Sequence, residues 1–279
     1  MPTAAGSVAR AGPAVPVALQ RVTEGSGGMS RRNPTLFRQF RDYDGVMPSL
    51  LRDGAEIREN YLSAAQCEAL LRDVESYKAA HELPLIERVD AGRSLRYRVI
   101  DGDRILHSLP RVVSLYRDVL ALVRQLEPQL EPLSNQTAGL NVNFTPPGGE
   151  YRWHYDRNSV TAILFLNSVQ GGQTEMYPHY RLHLGKWKDT SIQRFCDSAL
   201  RRFSRFVRPL VVDPAPGRMI LMRGDRCLHS VRRVEGSAER VSVIMSFDPP
   251  GRVFLSEGDL DSYLYSRNAS PNRDPNYRG

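Results

Sequence analysis

From residue 140 to residue 247 the chain is a train of short apolar runs cut by turn residues, and this texture restricts the fold more than any other feature. Leu140-Asn-Val-Asn-Phe144 alternates apolar and polar side chains, the period of a strand with two unlike faces. Pro146-Pro-Gly-Gly149 then turns the chain, 159–166 is β-rich, and Gly171-Gly172 turns it again. Runs at 207–212, 218–222 and 240–247 follow, separated by Asp213-Pro-Ala-Pro-Gly217 and Glu235-Gly-Ser-Ala238. Strands of this length and spacing predict a barrel or a double-sheet jelly roll, so the expected class is mainly β with flanking helices.

The helices come first. Ser63-Ala-Ala-Gln66 is a capping box, and Cys67, Leu70, Leu71 and Val74 form one apolar stripe of a helix predicted to reach Ala80. A second helix is expected from about Ser108, with Pro110 in its first turn and Val113, Tyr116, Leu120 and Val123 further on. Half of the first 28 residues are Ala, Gly or Pro, which bury too little surface to offset the entropy of ordering. Phe195, Ala199, Phe203 and Val207 recur every four residues, a helical period inside the β-rich half. The expected organisation is a disordered tail over 1–35, a helical support region over 36–132, a jelly-roll core over 133–250 with a helical insertion at 187–207, and an extension over 251–279.

Charge and cysteine usage exclude several classes. The 38 basic and 31 acidic side chains give +7, yet 181–210 alone carries eight basic residues against Asp189 and Asp197. With +6 of the +7 in one segment, the wide basic face of a general nucleic-acid binder is absent. Cys67, Cys196 and Cys227 are too few and scattered for a disulfide framework, which predicts reduced thiols and a cytoplasmic location. No apolar run approaches the roughly 20 residues a spanning helix needs, so no membrane partner is expected.

Trp153-His154-Tyr155-Asp156 sets an imidazole and a carboxylate two residues apart, hence on one face if the segment is a strand. His229 follows just after the 218–222 run. Two histidines and one carboxylate at the lip of a jelly roll form a facial triad that leaves adjacent positions open on iron(II). Arg240 opens the run Arg240-Val-Ser242-Val-Ile-Met-Ser-Phe247 and shares one face with Ser242. An arginine directed into an apolar strand needs a carboxylate, and its planar fork suits two oxygens at once. A dicarboxylate cosubstrate chelating the metal by its 2-oxo-acid end would supply that carboxylate, as would an internal ion pair with a protein acid.

As an ordered set, Tyr61-Leu-Ser-Ala-Ala-Gln-Cys67, His154-Tyr-Asp156, Phe165-Leu-Asn167 before Gly171-Gly172, and Pro216-Gly217 leading to Leu228-His229-Ser230 and Arg240 resemble the iron(II)/2-oxoglutarate-dependent dioxygenases. Within that superfamily they are most similar to the prolyl 4-hydroxylase-like branch. The resemblance implies a double-stranded β-helix (jelly-roll, cupin-like) core, with iron(II) bound by His154, Asp156 and His229. It also implies 2-oxoglutarate held by Arg240 with Ser242 assisting, and O2 as co-reactant. The implied chemistry couples decarboxylation of 2-oxoglutarate to succinate and CO2 with oxidation of an unactivated C–H bond. Hydroxylation is its default outcome, and desaturation or cyclisation needs only another substrate pose. The carboxylate of Asp156 argues against halogenases, which have a small residue there.

Two positions depart from the branch. Phe144 and Phe165 stand where it commonly has tyrosines, and neither can donate a hydrogen bond. Asn143 is the candidate replacement for the cosubstrate contact, its alternative being a turn-stabilising role beside Pro146. Tyr155, Arg157 and Tyr177 are candidate substrate contacts. Arginines near the metal motif favour a small carboxylated or amino-acid-derived substrate of specialised biosynthesis. A peptidyl hydroxylase and a nucleic-acid dealkylase of the same superfamily are the enzyme alternatives, and a vestigial metal-binding sensor module is the non-enzyme one.

Overall fold

The computed structural model describes residues 54–90, 93–178, 199 and 208–251. The expected tail (1–35), the helical insertion (187–207) apart from the helical Ala199, and all of the extension but Gly251 lie outside the described residues. Helix α1 (Ala64–Ala80) starts on the predicted capping box: Ser63 Oγ accepts from Gln66 N at 3.3 Å, and Gln66 Oε1 accepts from Ser63 N at 2.9 Å. Its buried stripe is Cys67, Leu70 and Val74. The second expected helix forms, and a short helix not read from the sequence precedes it. A short α2 (Gly102–Ser108) is capped by Asp101, whose carboxylate accepts from Arg104 N at 2.9 Å. The longer α3 (Pro110–Leu126) begins on Pro110 and buries Val112, Leu115, Val119 and Val123. One turn, α4 (Gln136–Gly139), precedes the β-rich half.

The strands are β1 (Ala55–Arg58), β2 (Ile86–Asp90), β3 (Arg93–Ile100), β4 (Glu131–Pro132), β5 (Leu140–Thr145), β6 (Tyr151–His154) and β7 (Val160–Phe165). They continue as β8 (Gln170–Gly171), β9 (Thr174–Tyr177), β10 (Leu210–Val212), β11 (Met219–Met222), β12 (Leu228–Val231), β13 (Val234–Glu235) and β14 (Arg240–Asp248). The major sheet runs β1-β11-β7-β14-β5-β3-β2 with β4 beside β14, and the minor sheet runs β10-β9-β12-β6. A two-stranded ribbon pairs β13 with β8, and every pair is antiparallel. This is the double-stranded β-helix arrangement. The support region is not helical alone: β1 extends the major sheet at one edge, and the β2–β3 hairpin extends it at the other.

Alternation along the central strands sorts side chains by chemistry. Val142, Phe144, Ala162, Leu164, Val241, Val243, Met245 and Phe247 lie on the outer face of the major sheet, packed against Val74, Val112, Val119 and Val123 of α1 and α3. Each large aliphatic or aromatic side chain buried here contributes about 1.5–3 kcal/mol, which fixes strand register, because a slip of one residue would turn the polar set outward. The opposite face carries Asn143, Thr145, Arg240 and Ser242 as the intervening positions of β5 and β14. Ile163 and Phe165 of β7 join Ile220, Met222, Met176 and Val212 in a second apolar cluster between the two sheets. The interior is thus apolar at one end and polar at the other. No helix among the described residues is long and apolar enough to cross a membrane.

Candidate metal centre

His229 of β12 and His154 of β6 are direct cross-strand partners in the minor sheet, and their rings lie 4.1 Å apart. Asp156 follows just beyond the end of β6, where its backbone N–H donates to Gly224 O at 2.9 Å. The convergence expected from the two-residue spacing is therefore made by a strand end held on the β11–β12 loop. Asp156 Oδ1 lies 3.6 Å from His154 Nε2 and 3.4 Å from His229 Nε2. The three ligand atoms fall within 4.8 Å of one another.

The orientation of each ring is set by the backbone. His154 Nδ1 lies 2.8 Å from Arg152 O, and His229 Nδ1 lies 3.0 Å from Cys227 O. A carbonyl only accepts, so each Nδ1 carries the proton and each Nε2 offers its lone pair to the centre. Burial and the adjacent His229 hold His154 down at about 3, so it is neutral at physiological pH. Burial would raise the Asp156 carboxyl, but the contact with His229 and the 2.5 Å hydrogen bond from Thr161 Oγ1 hold it below the usual carboxylate range. Two imidazole nitrogens and an ionised carboxylate on one side of a point are a donor set that fits iron(II) with open positions opposite.

Arg240 lies in the polar end of the interior, 2% exposed. Its guanidinium donates to Ser242 Oγ at 3.2 Å and to Thr174 Oγ1 at 3.3 Å, and stands 4.9 Å from the Phe165 ring centre. Nε is buried without a hydrogen-bond partner, and among the described residues no carboxylate pairs with this arginine, so the internal ion pair is absent. Burial pushes the group down to about 10, so it is a cation at neutral pH. A desolvated cation with only hydroxyl partners is costly unless an anion completes it, and a dicarboxylate fits that need. Gly172 makes room beside it: at φ +65° it adopts a backbone that favours glycine, and a Cβ there would stand 3.1 Å from Arg240 Cδ.

The predicted residues divide in two. His154, Asp156 and His229 come together, as do Arg240, Ser242 and Asn143, the last being the cross-strand partner of Ser242. Asn143 is no turn residue: its Oδ1 accepts from Thr145 Oγ1 and Tyr151 OH, both at 3.1 Å. Tyr155 and Tyr177 instead pack with Trp153 and Leu228 in a separate apolar cluster. Arg157 is half-buried just past Asp156. Phe144 faces the helices, with Lys78 Nζ 4.7 Å over its ring.

Tyr151 and Thr174 belong to the cradle, and neither is marked by its sequence context. Tyr151 is three residues before His154, a spacing that in a regular strand puts the two on opposite faces. A bulge in β6 overrides it, because His229 pairs with His154 while Val231 pairs with Tyr151, so two residues of β6, Arg152 and Trp153, oppose the single Ser230 of β12. The phenol thereby reaches Asn143 and packs 5.7 Å from Tyr97.

Residues 140–247 match the sequence profile of the 2OG-Fe(II) oxygenase superfamily. No curated protein matches the chain by sequence. Among solved structures, the non-haem alpha-ketoglutarate-dependent carbocyclase SnoK from nogalamycin biosynthesis superposes with a TM-score of 0.58 at 13% identity, covering 78% of this chain and 91% of that one. The epimerase SnoN from the same biosynthesis gives 0.53 at 19% identity over 83% and 92%. A prolyl hydroxylase from Trichoplax adhaerens, solved with a hypoxia-inducible-factor peptide, gives 0.50 at 18% over 72% and 86%. These likenesses are of fold, and the profile match spans the segment that holds all three triad residues and the buried arginine. The likeness to the 2OG-Fe(II) oxygenase superfamily thus covers residues 140–247, the segment that carries the triad and Arg240.

Proposed function

We propose that the protein is an iron(II)- and 2-oxoglutarate-dependent oxygenase that hydroxylates an unactivated C–H bond of a small, carboxylated or amino-acid-derived substrate of specialised biosynthesis. The observation that carries this reading is Arg240, a buried cation with an orphaned Nε in the same barrel interior as three converging metal donors. His154, Asp156 and His229 would hold the iron, and Arg240, Ser242 and Thr174 would hold the far carboxylate of 2-oxoglutarate, with Asn143 and Tyr151 alongside. Bound together, iron(II) and 2-oxoglutarate supply the oxidising power for C–H cleavage by O2, with succinate and CO2 as co-products.

The chain's own groups do the rest. Backbone carbonyls of Arg152 and Cys227 keep both imidazoles in the ligating tautomer, and Thr161 orients the Asp156 carboxylate. Ile163, Phe165, Ile220 and Met222 form a buried apolar cluster whose Phe165 ring centre lies 4.9 Å from the Arg240 guanidinium. Cys67 and Cys227 are buried free thiols, in keeping with a cytoplasmic, reducing environment.

Anaerobic titration of metal-free protein with iron(II) and then 2-oxoglutarate tests the site. A visible charge-transfer band that requires both additions is expected, and succinate should form in excess of protein once O2 is admitted. A folded protein that gives neither would refute the enzyme reading and leave the sensor module.

A further inference from the structure

We propose that Asn167 is a positioning residue that sets where the Arg240 guanidinium stands in the barrel, and so governs discrimination for a second carboxylate on the 2-oxo acid. This rests on the reading of Arg240 as the carboxylate clamp. The argument starts where a ladder ends. Strands β7 and β14 pair from Phe247 opposite Val160 to Ser242 opposite Phe165, and the next step would place Arg240 against residue 167. At that point β7 stops, because the chain must leave the sheet for the turn at Gly171 and Gly172, both at positive φ.

The side chain of Asn167 continues the ladder in place of the backbone. Its Nδ2 donates to Glu239 O at 2.7 Å, and its Oδ1 accepts from Val241 N at 2.9 Å. An asparagine amide carries one carbonyl and one N–H group in a plane, as a peptide does, so it satisfies the two backbone groups that flank Arg240. The other side of Arg240 is held by its cross-strand partner Thr145 in β5. The backbone of Arg240 is therefore fixed from both sides although one neighbouring strand has departed. A further tether acts on the preceding residue, since the Glu239 carboxylate is bound by Lys78 of α1 and, at 3.0 Å, by Arg98 of β3. Ser242 and Thr174 hydroxyls reach the guanidinium itself, but at 3.2–3.3 Å from a long flexible side chain they do not set the depth of its root.

The test uses the full chain loaded anaerobically with iron(II), titrated with 2-oxoglutarate and with pyruvate, a 2-oxo acid that lacks the second carboxylate. Iron affinity and thermal midpoint are measured beside both. Asn167→Ala should cut the preference for 2-oxoglutarate over pyruvate about tenfold, the scale of one or two hydrogen bonds, while pyruvate and iron affinities hold. An unchanged preference, or a common loss of iron, pyruvate and 2-oxoglutarate binding, overturns the inference, the latter because it marks a merely structural residue. Should Asn167→Ala fail to fold, Glu239→Gln weakens the same tether from the outer side and should lower the preference about threefold, and no change there overturns it. Arg240→Ala separates the two readings. A preference that survives it overturns the clamp itself, whereas one lost in Arg240→Ala but intact in Asn167→Ala overturns the positioning role alone.

Discussion

Gly224→Ala probes the seat of the metal carboxylate with a single added methyl group. A Cβ on Gly224 would stand 2.7 Å from Thr161 Oγ1, 2.8 Å from Asp156 Cβ and 2.9 Å from Asp156 Oδ2. Reaching an ordinary 3.4 Å contact requires displacements of about 0.5 to 0.7 Å from atoms that are themselves joined by a 2.5 Å hydrogen bond. Asp156 cannot retreat along its backbone, because its N–H is bonded to the carbonyl of the same glycine at 2.9 Å. Overpacking of this kind costs about 1–3 kcal/mol, and at about 2–4 °C per kcal/mol for a domain of this size the thermal midpoint of the apo-protein should fall by roughly 2–12 °C. Moving a metal-binding carboxylate off its supporting hydrogen bond costs about 10–100-fold in metal affinity. Iron(II) affinity measured by anaerobic competition against a chelator, beside thermal melts, reads both effects. A midpoint that falls as expected with iron affinity unchanged within about twofold would refute the reasoning, since Asp156 would then be displaced without consequence for the metal.

Three further expectations follow from the same geometry. His154→Ala or His229→Ala should each abolish iron(II) binding and succinate formation while the apo fold persists, and succinate release by either variant excludes the triad as the metal site. Arg223→Ala strands the buried Glu127 carboxylate, which accepts both of its 2.8 Å hydrogen bonds from Arg223 Nη1, and should cost about 3–5 kcal/mol in denaturant unfolding; a loss under about 1 kcal/mol would mean that water reaches the pair. Because burial holds Arg240 at about 10, below the ordinary arginine value, it keeps its charge through neutral pH and gives up its proton as pH rises past that point. A bound carboxylate favours the charged form, so 2-oxoglutarate affinity relative to pyruvate should be level to about pH 9 and fall above about pH 10 by up to roughly tenfold per unit; a ratio that stays level through pH 11 would mean that the guanidinium keeps its proton despite its burial.

Several elements are legible in the chain because their causes are local. The start of α1 is written in Ser63 and Gln66, whose side chains satisfy donors three residues apart, and its end at Ala80 follows from the extent of the apolar stripe. The strands β5, β7, β11 and β14 follow from short alternating or apolar runs and the glycine and proline turns between them. His154, Asp156, His229 and Arg240 stand out by residue type and order, since iron(II) and a dicarboxylate each need particular donors in a particular arrangement.

What tertiary structure alone decided are the positions whose neighbours come from distant segments. Tyr151 joins the site only because a bulge in β6, visible solely against its partner β12, reverses the face that regular alternation assigns it. Thr174 meets Arg240 across 66 residues, and the strands β1, β2 and β3 become parts of the sheet only by pairing with β11 and β5. Tyr155 and Tyr177 sit near the metal motif in sequence, or just past the glycine pair, yet turn into a cluster with Trp153 and Leu228. Asn167 is recognisable as part of a motif, but its role depends on β7 ending at Phe165, two residues short of the position opposite Arg240. Residue type and short-range period determine which chemistry the chain carries, because donors and periodicities are properties of a segment. Which side chains share a cavity is a property of pairing register, and register is set by burying the outer faces of β5, β7 and β14 against α1 and α3.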